Sequence, residues 1–184
     1  MQRFDVIILG GGLVGLTLAI ALDKHGVSCA VIDPADPAKT IAAGFDGRVS
    51  AISSSSWKLL KAIGIGDRLE GKGCPIDRIW VSDGLQPGAL DFVPDEDDGA
   101  MGIMFENRET RIALRDAAAE SGIVQFQPDR AVSVERELDS VRVTLASGQQ
   151  LAGSLLVAAE GRNSPTREAA GITVAHWQYD HVAM

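Results

Sequence analysis

Cysteine is scarce in this sequence, and its two copies, Cys29 and Cys74, stand far apart with no Cys-x-x-Cys pair. That excludes a disulfide framework and favours a reducing compartment. Cys29 falls in the apolar run "VSCAVI" and reads as a buried thiol. Histidine is as thin: His25, His176 and His181 share no metal-ligand spacing with the cysteines, so no metal is expected. Basic residues are outnumbered, 17 against 25 acidic ones, for a net charge of −8. The deficit argues against nucleic acid and against electrostatic attachment to anionic lipid, both of which rely on Lys and Arg. No repeat, low-complexity tract or long linker interrupts the chain. The acidic run "PDEDDG" lacks calcium-loop spacing, because Pro94 stands where the first Asp would fall, and it reads as a solvated loop.

What the sequence does have is apolar residues, 46% of its 184, enough to bury a core. From Val6 to Leu22 none is charged, a stretch long enough to cross a bilayer. The order within it points elsewhere. "DVIIL" is short and β-branched, suited to a buried parallel strand. Glycines follow where that strand would turn, then "LVGLTLAIALDKHG" reads as a helix closing at Gly26, with His25 at its C-terminus. A second apolar strand, "CAVI", ends on Asp33. Asp5 spoils the basic leader of a signal peptide.

The result is Gly10-x-Gly12-x-x-Gly15 between strand and helix, with an acid eighteen positions after Gly15. Each part has a physical task. Gly10 allows the tight turn, Gly12 lets a pyrophosphate approach the backbone, and Gly15 lets helix and strand pack closely. The helix start, at Leu13 and Val14, offers N–H groups and a positive dipole end to phosphate. Asp33 can accept from both hydroxyls of an adenosine ribose, and its charge repels a 2′-phosphate. Alone it could equally be a turn residue before Pro34. This pattern predicts dinucleotide binding without separating FAD from NAD.

Beyond Pro34, "ADPAKTIAAGFDGRVSAISSSS" is small, polar and broken by glycine, and a loop is expected. One of its serines should cap the helix "SWKLLKAIG", which stops near Gly64. "PIDRIWVSDG" alternates as one strand closed by an Asp-Gly turn, and "ALDFVP" and "GIMFE" read as short strands. From Asn107, "NRETRIALRDAAAESG" is a helix ending at Gly122. Then come strands in "IVQFQ", "AVSVERE", "SVRVTLA" and "LAGSLLVAAE", and a loop turning into a short helix in "GRNSPTREAAG". The order implies an α/β domain with a small antiparallel β-meander inserted between helix and closing strand.

Three patches together resemble one family. "LGGGLVGLTLAIAL" is similar to the first FAD motif of the group A flavin monooxygenases, relatives of p-hydroxybenzoate hydroxylase. "DGRVSAISSSSWKLLKAIG", with Arg48, resembles the Asp-x-Arg-x-x-Ala stretch of the ubiquinone-biosynthesis branch. "LLVAAEGRNSPTREAAGI" is similar to that group's Asp-Gly motif, and "ENRETRIALRDAA" fits the helix that brings an amide toward the flavin ribityl. The resemblance covers Phe4 to about Ile172.

It implies a Rossmann-like FAD-binding domain of the glutathione-reductase type over residues 1–172. Residues 173–184 would begin a substrate domain that is otherwise largely missing, as in the N-terminal portion of a longer enzyme. It implies FAD held at Gly10, Gly12, Leu13, Val14 and Gly15 (pyrophosphate), Asp33 (ribose), Arg48 (flavin side of the pyrophosphate) and Asn107 (ribityl). Arg111, Glu160 and Gly161 would lie near the cofactor. From pattern alone Arg48 is a surface arginine and Asn107 could be a helix cap, while Arg162, Ser164 and Arg167 could cap and neutralise a helix start or face the cofactor. Glu160 departs from the family, which has Asp there. The implied activity is hydroxylation of a polyprenylated phenol in ubiquinone synthesis, with O₂ as co-substrate. NADH or NADPH would be a transient reductant, since no second glycine fingerprint is present. The implied setting is the cytoplasm, with peripheral inner-membrane or biosynthetic-complex association. No catalytic acid–base pair or nucleophile is legible. Alternatives are a halogenase or prenyl reductase of the same fold, although no Trp-rich halogenase motif is seen, or a non-catalytic nucleotide-binding or assembly module.

Overall fold

The computed structural model describes residues 1–42, 47–82, 84, 90–94 and 99–180. Asp46, Asp83, the acids of the "PDEDDG" run and His181 lie outside them. The chain opens with strand β1 (Gln2–Leu9), helix α1 (Leu13–Asp23) and strand β2 (Cys29–Ile32). After these come α2 (Pro37–Ala42), β3 (Val49–Ser53), α3 (Ser54–Ala62) and α4 (Gly66–Leu69). Short strands follow: β4 (Cys74–Ile76), β5 (Ile79–Val81), β6 (Leu90–Phe92) and β7 (Gly102–Glu106). Helix α5 (Asn107–Ala119), strands β8 (Val124–Phe126), β9 (Ala131–Arg136), β10 (Val141–Leu145) and β11 (Gln150–Ala158), and helix α6 (Pro165–Ala169) complete it.

The main sheet has six strands in the order β8-β2-β1-β11-β10-β9. β1 lies in the middle, parallel to β2 on one side and to β11 on the other. From Val6 to Leu9 it is buried on both faces, which is why that run reads as continuous rather than alternating. Val6 and Ile8 face one cluster with Leu16, Ala19 and Leu114, while Ile7 and Leu9 face another with Val143, Leu145 and Leu151. Burying a side chain such as Ile8 contributes about 2 kcal/mol. Helix α5 buries Thr110, Ala113, Leu114 and Ala118, the i, i+3, i+4, i+8 stripe of an amphipathic helix, and packs on α1. Cys29 is buried as expected; burial, with Asp23 and Asp5 nearby, pushes its thiol up to about 11. No helix among the described residues is long and apolar enough to cross a membrane.

The expected meander forms from β9, β10 and β11, but its third strand is also the closing strand beside β1. It therefore extends the main sheet. The first three patterned elements and α5 lie where the sequence puts them, and Ser53 is the serine that caps α3, accepting from the Ser56 N–H at 3.3 Å. α1 is closed by Gly26 at φ 74°.

Two expectations need correction. The stretch 35–56 is not one loop, because it contains α2 and β3. A local start signal for α2 is present: Asp36 accepts from the Ala38 N–H at 2.9 Å, and Pro37 supplies the first helical residue. β3 is a strand because β7, far away in sequence, pairs with it from Val49↔Glu106 to Ser53↔Gly102. The alternating run "PIDRIWVSDG" is not one strand. Its first part, in β4, pairs with β7, while β5 pairs with β6 in a separate two-stranded sheet. Alternation continues across the break because each half is extended, but the ladder partner changes at Asp77 and Arg78. Residues 172–180 carry no helix or strand and are exposed, including Trp177 and Tyr179.

Candidate functional site

The turn out of β1 is made by Gly10, at φ 108°, a backbone conformation that L side chains rarely adopt. Its N–H donates to the Ile32 carbonyl at 2.7 Å, so the turn is tied to the end of β2. A Cβ on Gly10 would lie 2.4 Å from the Ala159 carbonyl oxygen. Gly15, one turn into α1, is tighter still: a Cβ there would sit 1.8 Å from the Gly10 carbonyl oxygen. These two glycines bring helix, turn and β11 together. Gly12 differs from both. A Cβ on Gly12 would meet nothing within 4 Å, and no side chain caps the helix at this position. The helix start therefore presents bare main chain to open space.

Asp33 follows directly on β2. One carboxylate oxygen accepts from the Gly11 N–H at 2.6 Å and the other from the Ala35 N–H at 2.7 Å. Each oxygen keeps further acceptor capacity, so the side chain pins the glycine loop and still faces the cavities beside it.

Two cavities meet here. A cleft of about 860 Å³ is lined by Gly10, Gly12, Leu13, Val14, Asp33, Glu160 and Gly161 among others. A smaller one, about 210 Å³, is lined by Gly11, Asp33, Thr40, Arg111, Arg115 and Gln127, with Gly12 and Leu13 shared. Together they make a trough that crosses the glycine loop at the carboxyl edge of the sheet, where ligands of open α/β sheets bind.

The structure brings eight of the eleven candidate residues to this trough, and Gly15 lies beneath it. Arg48 and Asn107 are held together elsewhere, at the junction of β3 and α5: the Asn107 N–H donates to the Arg48 carbonyl at 3.0 Å. Asn107 is not the cap of α5, since Glu106 holds that position. The Asn107 side-chain oxygen instead accepts from Ser50 Oγ at 2.6 Å. Arg111, one turn further along α5, reaches the smaller cavity.

Glu160 folds back onto its own loop, accepting from Ser164 Oγ at 2.5 Å and from the Thr166 N–H at 3.2 Å. Ser164 in turn caps α6 by accepting from the Arg167 N–H at 3.1 Å, and Arg167 Nη1 donates to the Arg162 carbonyl at 2.7 Å. The extra methylene of Glu160, relative to Asp, is thus spent on reaching the helix start. Arg162, Ser164 and Arg167 serve this loop, and none of them lines either cavity.

Sequence reasoning passed over Gly11, Gln127, Thr40 and Arg115. A trace of the first was visible as the extra glycine inside "GGG". Arg115, whose Nη1 donates to the Pro37 carbonyl at 2.5 Å, could be placed only once α2 and α5 were seen to meet.

The FAD binding domain family matches residues 3–182. This chain belongs to that family. Ubiquinone hydroxylase UbiL of Rhodospirillum rubrum is 44% identical over 98% of the chain and 42% of its own length. The 3-demethoxyubiquinol 3-hydroxylase of Escherichia coli is 33% identical over 100% of the chain and 48% of its own length. The solved structure of PqsL from Pseudomonas aeruginosa shares the fold, with a TM-score of 0.78 at 20% identity over 97% of this chain and 48% of that one. The chain thus spans less than half the length of the curated relatives it matches. The open Gly12 face beside a trough with an acidic end fits a flavin dinucleotide, whose diphosphate needs bare main chain and whose ribose needs an acceptor.

Proposed function

We propose that this chain is the FAD-binding part of a flavin-dependent aromatic-ring monooxygenase that hydroxylates a polyprenylated phenol in ubiquinone biosynthesis. NADH or NADPH is the reductant and O₂ the co-substrate. Family membership and the names of the relatives support the class. The observation that carries the assignment is the empty side of Gly12 at the uncapped start of α1, directly on the trough that contains Asp33.

On this reading Gly10, Gly12 and Gly15 shape the pyrophosphate seat, with the N–H groups of Leu13 and Val14 directed at it. Asp33 accepts from the ribose while remaining bonded to Gly11. Glu160 and Gly161 border the cofactor from the β11 side, and Arg111 borders it from α5. Arg48 and Asn107, fixed to each other across β3 and α5, serve the flavin side of the pyrophosphate and the ribityl. When bound, FAD supplies the electron transfer and O₂ chemistry, and the protein supplies position and hydrogen bonds. Residues 1–172 form the cofactor domain and 173–184 lead into a substrate domain. Access to a lipid-soluble substrate comes from peripheral association with the inner membrane or a biosynthetic complex, on the cytoplasmic side.

Titration of oxidised FAD into the purified protein, followed by flavin fluorescence, tests this. Saturable quenching is expected, and it should weaken by more than tenfold in Gly12→Ala, whose new methyl group occupies the diphosphate's approach. A folded protein that leaves FAD fluorescence unchanged overturns the assignment.

A further inference from the structure

Helix α2 forms one wall of the smaller cavity, with Pro37 and Thr40 on its side, Leu114 and Arg115 on the α5 side, and Gly11 and Gly12 completing the enclosure. Few bonds keep it there. The side-chain bonds of residues 36–40 close largely within the segment: the Asp36 carboxylate accepts from the Ala38 N–H at 2.9 Å and lies 3.8 Å from Lys39 Nζ, while the Asp36 carbonyl accepts from Thr40 Oγ1 at 2.7 Å. Two bonds tie the segment to its surroundings. At its base the Ala35 N–H donates to the Asp33 carboxylate at 2.7 Å, the same carboxylate that holds the Gly11 N–H. Farther along, Arg115 Nη1 donates to the Pro37 carbonyl at 2.5 Å, the one hydrogen bond among the described residues that joins α2 to α5. Arg115 is half-buried and has no carboxylate partner among the described residues. A half-buried guanidinium ordinarily takes a carboxylate; this one is spent on the main chain of a separate, largely exposed helix. Six residues are too few for a helix to hold its place alone, so the position of α2 depends on that bond.

We propose that residues 35–40 are a strap closed on the cofactor trough, that Arg115 is its clasp, and that opening the clasp gates the entry and release of the dinucleotide; this rests on the FAD assignment above. The two cavities share Gly12 and Asp33, so a diphosphate on Gly12 and a ribose on Asp33 border the strap whichever cavity takes the base. Asp33 couples the two directly, because the carboxylate that receives the ribose also holds the strap at Ala35. Arg115 acts on the strap and not on the cofactor, so the clasp is made whether FAD is bound or absent. A contact made equally in both states shifts no binding equilibrium. It sets how often the strap opens, and with it both rates.

Stopped-flow measurement of FAD entry and release on the purified protein tests this. Arg115→Met keeps the apolar stem and removes the donors. Its association and dissociation rate constants should both rise about tenfold, the worth of one charge-assisted hydrogen bond, while Kd changes by less than about twofold. Arg115→Lys, which keeps a cation and a donor of shorter reach, should fall between Arg115→Met and the wild type. In the cofactor-free protein, hydrogen exchange over residues 35–40 should quicken in Arg115→Met, with residues 7–9 and the melting midpoint as in the wild type. Release that quickens while entry does not would make Arg115 a ligand of the cofactor itself. Unchanged rates, or an early melt, would make its bond to Pro37 purely structural. Each of these ends the strap and leaves the FAD assignment intact. A wild-type protein that binds no FAD ends both.

Discussion

The carboxyl edge of the six-stranded sheet and the β5–β6 hairpin use the same kinds of residue and end in opposite states. At the first, Ile7, Ile8, Val31 and Ile32 are at most 2% exposed, and the loops that follow are tied across strands by Gly10, Asp33 and Ala159. At the second, Ile79, Trp80, Val81, Leu90 and Phe92 are 41–70% exposed. Among the described residues no strand of another sheet pairs with either arm of the hairpin. The site has a packed core behind it on both faces. Among the described residues the hairpin is held by its own ladder and by the bidentate Arg78–Asp91 ion pair.

The largest expected effect follows from that contrast. Ile8→Ala removes a fully buried side chain between α1 and α5 and should cost about 3 kcal/mol. Trp80→Ala, a larger truncation on the hairpin, should cost about 0.5 kcal/mol or less. Denaturant midpoints at constant slope measure both, and similar losses would show that the hairpin shares the global core.

A second test sharpens the comparison within the site, between two glycines three residues apart. Gly15→Ala forces a methyl group against the Gly10 carbonyl, where main chain on both sides leaves little room to yield; about 2 kcal/mol of stability should be lost. Gly12→Ala meets open space and should change stability by less than about 1 kcal/mol. Its effect should instead appear in FAD affinity. Thermal melts of the cofactor-free proteins separate the two, and a Gly12 variant that melts as early as the Gly15 variant would contradict the open face.

What the sequence made legible follows the same division. The glycine turn, α1, β2 and Asp33 were readable because each carries a strong local signal: glycines where a strand must turn, a run without charge, an acid at a strand end. β3 and the split of β4 from β5 were not, because pairing with β7 and β6 decides them and no local pattern reveals a distant partner. Asn107 shows the limit from another side. Its position at a helix start allowed a cap or a ligand-facing role, and only the arrival of Ser50 from β3, 57 residues away, showed where its amide oxygen goes. Gln127 was invisible for the same reason: nothing in "IVQFQ" says that its last residue will stand beside Asp33.

The smallest effect concerns the hairpin's own clasp. Arg78 Nε and Nη2 donate to the two Asp91 carboxylate oxygens at 2.6 and 2.5 Å, one residue before Ile79 pairs with Phe92. The Arg78 hydrogen bonds hold the Asp91 carboxyl below its ordinary 3.8, and both partners lie in solvent, so the contribution to overall stability is small. The sign is that of a depressed acid. The clasp is fully present above the unfolded value near 3.8 and is lost as pH falls through the lower folded one. Since among the described residues no other strand pairs with the hairpin, acid should loosen β5 from β6 while β1 and β11 stay paired. Cross-strand NMR contacts between Ile79 and Phe92 should fade below pH 4 in the wild type, and already at neutral pH in Asp91→Asn, with the Ile7–Leu156 contacts unchanged in both. If the two sets of contacts fade together, hairpin and core melt as one unit, and the exposed apolar strands must be coupled to the main sheet through the intervening chain.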